Sequence, residues 1–112
     1  MTQELFNRVT EWQRKTFPKA TPLSKLFHLE EELEELKQEL NIQYTDSFVE
    51  QRLRDEYADC FLLLYGSAAA NGYSLEDINK IISSKMDKNE KRTWGTPDEK
   101  GVVRHVKENG HD

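Results

Sequence analysis

Leucines stand at positions 26, 29, 33, 36 and 40, alternately three and four residues apart. That is the period of one face of an α-helix, and no strand shares it. Thr21 followed by Pro22 opens the stretch, because a threonine side chain can cap the first free amides and proline suits the first turn. The spacing therefore predicts a helix to about Asn41 with an apolar stripe, and the rest of the chain must help to cover that stripe.

The flanking sequence is written in the same period. Thr2 can cap a first helix with Leu5, Phe6, Val9 and Trp12 on one side, and "FPKATP" interrupts it with two prolines. After the loop "NIQYTDS", Ser47 with Glu50 gives a capping-box pattern for a third helix over 48–70. Asn71-Gly72 supplies a left-handed C-cap. Ser74 with Asp77 opens a fourth helix running to about Arg92. From Thr93 onward turns dominate; Val102, Val103 and Val106 are expected to pin this tail, and its last few residues to be loose. The expectation is one all-α domain over 1–112, a four-helix bundle-like core over about 2–92 with a tail over 93–112 and no linker.

With 36% hydrophobic and 33% charged residues in 112, the core is small, so association into a dimer or larger bundle is expected to supply further burial. The net charge of −5 argues against nucleic acid or anionic membrane as a partner. Cys60 is the sole cysteine, which excludes an intrachain disulfide and suits a reducing compartment. The N-terminus lacks the apolar core of a signal peptide, and the densest apolar run, Cys60 to Tyr65, is too short to span a bilayer. A cytoplasmic protein is expected.

Six glutamates crowd the second helix, at positions 30, 31, 32, 34, 35 and 39. Taking Leu29 as zero, the leucine stripe spans about −20° to +60°, with Glu32 at about −60° and Glu35 at about −120°. Glu30, Glu34 and Glu39 read as the wet side. In the third helix, with Leu53 as zero, Glu56 falls at about −60° and Asp59 at about −120°. One pattern is used twice. Beyond these acids the third helix is apolar nearly all round, so it should be buried, and a carboxylate there is costly without a cation. Two such helices packed antiparallel would gather four mutually repelling carboxylates, a set that suits a hard divalent cation. In the fourth helix the stripe Leu75, Ile78, Ile81 and Ile82 continues into Lys85, Asn89 and Arg92. That stripe either leaves the core or lines a polar pocket, and beside an acidic cluster the pocket fits better, as lysine and arginine commonly hold phosphate.

These motifs are E-E-x-x-E at Glu31, Glu32 and Glu35, E-x-x-D at Glu56 and Asp59, and K-x-x-x-N-x-x-R at Lys85, Asn89 and Arg92. In order and spacing they resemble the MazG-like family of all-α nucleoside triphosphate pyrophosphohydrolases, over about Leu26 to Trp94. The resemblance implies hydrolysis of a nucleoside triphosphate, often a deoxy or unusual one, to monophosphate and pyrophosphate by a dimer or tetramer. It implies that Glu32, Glu35, Glu56 and Asp59 ligate magnesium, with manganese as the alternative. Glu31 would bind through water or orient the attacking water, making Glu31, Glu32 and Glu35 the catalytic group. Lys85, Asn89 and Arg92 would hold phosphates. Trp12 and Trp94 can stack on a base, and His28 stands where relatives are often basic. Two alternatives keep the bundle: a noncatalytic helical interaction module, and an enzyme like phosphoribosyl-ATP pyrophosphohydrolase. A di-iron site is dismissed, because the only Glu-x-x-His match is Glu108 to His111, in a tail with glycine inside it.

Overall fold

The computed structural model describes residues 1–41 and 47–107. Among them are four α-helices: α1 Gln3–Thr16, α2 Pro22–Leu40, α3 Ser47–Ala70 and α4 Leu75–Lys91. No strand forms among the described residues, where Trp94 and His105 share one isolated antiparallel bridge.

The helix starts follow from local chemistry. Thr2 Oγ1 accepts from the Leu5 amide at 3.1 Å. At α2 the cap is reciprocal: the Ser24 amide donates to Thr21 Oγ1 at 3.0 Å, and the Thr21 amide donates to Ser24 Oγ at 2.8 Å. At α4 the Ser74 amide donates to Asp77 Oδ2 and the Asp77 amide to Ser74 Oγ. Gly72 ends α3 with φ of +96°, a conformation that side chains with a Cβ resist. α3 already includes Ser47, and Glu50 pairs with Arg54 at 3.2 Å. The loop residues 42–46 lie outside the described residues.

The chain divides into two compact units, Met1–Ile78 and Asn79–Asp112. In the first, α2 and α3 pack along one another, and α1 lies against α3. Ser67 Oγ donates to the Pro22 carbonyl at 2.8 Å near one end, and Arg52 meets Glu39 at 3.0 Å near the other, so α2 and α3 run antiparallel. A small core joins Phe6, Leu75 and Ile78 to Tyr65, Ala68 and Ala69.

Burial departs from the wheel in instructive ways. α1 buries Phe6, Thr10 and Gln13, while Leu5 and Trp12 are exposed. The reason is that α1 meets α3 at Gly66, which leaves room for the Gln13 amide. Of the leucine stripe only Leu36 is buried, Leu29 is intermediate, and Leu26, Leu33 and Leu40 stay exposed. One partner helix cannot cover a stripe that wide. Ile81 and Ile82 are likewise about half exposed.

In the second unit the tail is tied down by backbone rather than by valines. The Gly95 amide donates to the Arg104 carbonyl at 2.9 Å and the Val106 amide to the Thr93 carbonyl at 2.7 Å. Asp98 organises the turn between them, accepting from the Lys100 and Val102 amides and from the Arg104 guanidinium. That guanidinium, with the amides, holds the Asp98 carboxyl below its ordinary range. Val102, Val103 and Val106 are all exposed, against expectation. The last residues, 108–112, lie outside the described residues. No helix among the described residues is long and apolar enough to cross a membrane.

Candidate functional site

The antiparallel packing of α2 on α3 turns the repeated helical offset into a cluster. Glu32, Glu35 and Glu56 each place a carboxylate oxygen within 4.8 Å of the others. Glu32 and Glu56 are half-buried and Glu35 is exposed, so the acids edge the core rather than sit inside it. Glu56 Oε2 is buried and has no hydrogen-bond partner.

Electrostatics record the crowding. Burial first, then a hydrogen bond with Glu32 and the charges of Glu35, Glu32 and Asp59, push the Glu56 carboxyl up to about 7. Glu35 is raised chiefly by its hydrogen bond to Glu32 and by the Glu32 charge. Asp59 is raised by burial and then by Glu32. Cys60, buried beside the acids, is raised by burial and then by the same charges. Clustered oxygens, an orphaned buried acceptor and retained protons together describe a site short of positive charge. A divalent cation fits it by donor type and by number.

Glu31 is exposed and acts on Glu35 by charge. Asp59 stands outside the close trio, exposed, and shares a pocket wall with Glu32. His28 Nε2 lies 3.2 Å from Glu32 Oε1, one turn away on α2. Glu39, assigned by the wheel to the wet side, is largely covered: one oxygen meets Arg52 and the other is buried without a partner.

A cavity of about 350 Å³ opens beside the acids, with Trp12, Gln13, Phe17 and Lys25 lining it along with His28, Glu32 and Asp59. Trp12 meets Phe17 edge to face at 5.4 Å and leaves much of its indole open. The structure thus gathers Trp12 and His28 near the acids. Trp94 belongs to the second unit, where its Nε1 donates to the Asn89 carbonyl at 3.0 Å and its ring meets His105 edge-on. Gln13 and Lys25 are pocket residues that the motifs miss. Both are buried, at 6% and 8% exposure. The wheel that selects Glu32 also places Lys25 at about −40°, and that angle is the signal that could have found it.

Lys85, Asn89 and Arg92 lie in the second unit. Asn89 and Arg92 are half-buried, with Arg92 Nη1 donating to Asn89 Oδ1 at 3.5 Å. Lys85 is exposed and lines a groove of about 410 Å³ with Lys80 and Lys88.

The family profile for dATP/dGTP pyrophosphohydrolase matches residues 5–112. Among solved structures, the chain is similar to a cyanophage S-2L MazG-like pyrophosphohydrolase bound to dGDP and three catalytic Mn2+ ions per active site. The two are 25% identical and superpose with a TM-score of 0.73, over 96% of this chain and 99% of the other. No curated protein matches the chain in sequence.

Proposed function

The chain belongs to the dATP/dGTP pyrophosphohydrolase family, and from that membership we propose that it splits a purine deoxynucleoside triphosphate into the monophosphate and pyrophosphate. It is an all-α MazG-like nucleotide pyrophosphohydrolase that uses a divalent metal; magnesium or manganese is the proposed ion, and the whole chain is taken as one functional domain. The observation that carries the reading is the trio Glu32, Glu35 and Glu56 with an unpartnered buried oxygen on Glu56. The cyanophage neighbour, with manganese and dGDP, supports both the metal class and the deoxypurine.

Glu32, Glu35, Glu56 and Asp59 would hold the cations, which would supply Lewis-acid polarisation of phosphate oxygens and a more acidic water as nucleophile. Glu31, exposed beside Glu35, orients the attacking water. Lys85, Asn89 and Arg92 supply the phosphate contacts, where fixed positive charge favours the transferring group. Trp12 and His28 flank the base. The buried free thiol of Cys60 suits the reducing cytoplasm expected from the sequence.

The test is product analysis with dATP, dGTP, the deoxypyrimidine and ribonucleoside triphosphates and phosphoribosyl-ATP, in magnesium, manganese and EDTA. Pyrophosphate and monophosphate from the two deoxypurines, abolished by EDTA, are expected. Orthophosphate as product, or turnover of phosphoribosyl-ATP alone, would overturn the reading.

A further inference from the structure

We propose that the first unit carries a second binding site, for a small phosphate anion, in a cavity beside Lys25 that no carboxylate lines. The site is separate from the acidic trio and independent of the hydrolase reading.

This second cavity has a volume of about 170 Å³ and lies between α1, the start of α2 and α3. Gln13 and Arg14 come to it from α1 and Lys25 from α2, while Gly66 and Ala69 of α3 have side chains too short to fill it. Gln13 and Lys25 also line the larger cavity next to the acids, so these two side chains form the partition between the two spaces. Gln13 is fixed in that role by Nε2, which donates to the Leu62 carbonyl at 3.0 Å.

The charge around this space is one-sided. Lys25 is 8% exposed and forms no hydrogen bond or ion pair among the described residues. Its ammonium lies 5.7 Å from the Phe17 ring centroid, a weak substitute for an anion. Burial lowers its proton affinity. A buried ammonium without an acceptor costs free energy that a bound anion would recover. Arg14 is exposed and likewise has no ion pair or hydrogen bond among the described residues. From Arg8 to Lys25 the chain holds five cations and one acid, although its net charge is −5.

Size and donor type name the ligand. Each water takes about 30 Å³ in the liquid, so the cavity has room for about five. Pockets for drug-sized ligands start near roughly 300 Å³, which makes this one too small for a nucleoside. A tetrahedral oxyanion fits. A guanidinium offers two parallel N–H groups to two of its oxygens, and an ammonium donates to a third. A carboxylate has two oxygens and one charge, so it would leave one cation unbalanced. Orthophosphate and pyrophosphate share the required chemistry. Because Lys25 belongs to both walls, an anion bound here also changes the charge facing the larger cavity.

The test is a series of ¹H–¹⁵N correlation spectra of the whole chain in EDTA, titrated with orthophosphate and, separately, pyrophosphate. Chloride holds the ionic strength constant, and EDTA removes the cations that the acidic trio needs. Saturable shifts are expected at the Gln13, Gly66 and Ala69 amides at about millimolar anion. Lys25→Met is expected to weaken binding by about tenfold or more, and Arg14→Gln by about threefold to tenfold. The melting temperature of Lys25→Met should hold or rise, since an apolar chain of similar size replaces an unpaired buried cation. Pyrophosphate saturating first would assign the site to that anion and orthophosphate saturating first to the other; either uphold the site. Shifts confined to Lys85, Asn89 and Arg92, shifts reproduced by chloride alone, or an affinity unmoved by both variants would each overturn it. Intact phosphate shifts with no pyrophosphate release from any triphosphate would refute the hydrolase reading and leave this site standing.

Discussion

Glu56 couples the site to proton concentration. Its carboxyl is raised from 4.5 to about 7, so the folded chain holds this proton more tightly than the unfolded chain. Between those two values the folded state binds more protons, and stability falls as pH rises. Glu35 and Asp59, both raised, push in the same direction. In EDTA the wild type is expected to melt at a lower temperature at about pH 8 than at about pH 5. A cation must displace these protons, so magnesium or manganese should stabilise most above about pH 7 and progressively less below it. Glu56→Gln should raise the EDTA melting temperature at about pH 8 and cancel most of the cation effect, read by thermal denaturation. A wild-type EDTA melting temperature that climbs through this window would contradict the assignment. Glu35→Gln is expected to lower kcat for pyrophosphate release by roughly a hundredfold or more, measured at saturating cation. The trio itself was legible in the sequence, because helical angle fixes which acids can meet once two helices pack. The burial of Lys25 and the aim of Gln13 were not, since both depend on where α1 lies on α3.

At the scale of elements, caps and turn residues carried the boundaries: Thr2, Thr21, Ser74 and Gly72 all act where their chemistry points. Thr21→Ala removes one side of the reciprocal cap and should cost about 1 kcal/mol, read as a lower melting temperature. Gly66→Ala sets two effects against each other. Alanine improves helix propensity by about 1 kcal/mol, while displacing the Gln13 amide from Leu62 loses a hydrogen bond worth about the same. Stability should therefore change by less than about 1 kcal/mol, read by thermal denaturation. The faces of the elements were less legible than their ends. A leucine stripe announces that it wants cover, yet says nothing of whether the cover comes from the same chain.

The molecule as a whole leaves much apolar surface open. Among the described residues no side chain is fully buried, and Phe61 and Leu64 in the apolar run of α3 are 59% and 54% exposed. A helix apolar nearly all round is ordinarily enclosed, so a second copy of the chain is the expected cover. Sedimentation equilibrium should show a dimer or tetramer, and Phe61→Glu should shift it toward monomer. A wild-type chain that stays monomeric at all concentrations would refute this. The all-α class was legible because the period of 3.6 recurs in each of the four helices. The tail was not, because its order comes from Asp98 and backbone amides rather than from an apolar pattern.

The chain has two tryptophans, one at the mouth of the pocket and one bonded to the Asn89 carbonyl in the second unit. Trp94→Phe would leave a single emitter, with an open indole face where a base would stack. Its fluorescence would then respond to the base of an arriving nucleotide and stay quiet toward free pyrophosphate or cation. A chain with that one emitter would serve as an optical gauge of which end of a substrate has docked, provided the base stacks on Trp12 as proposed.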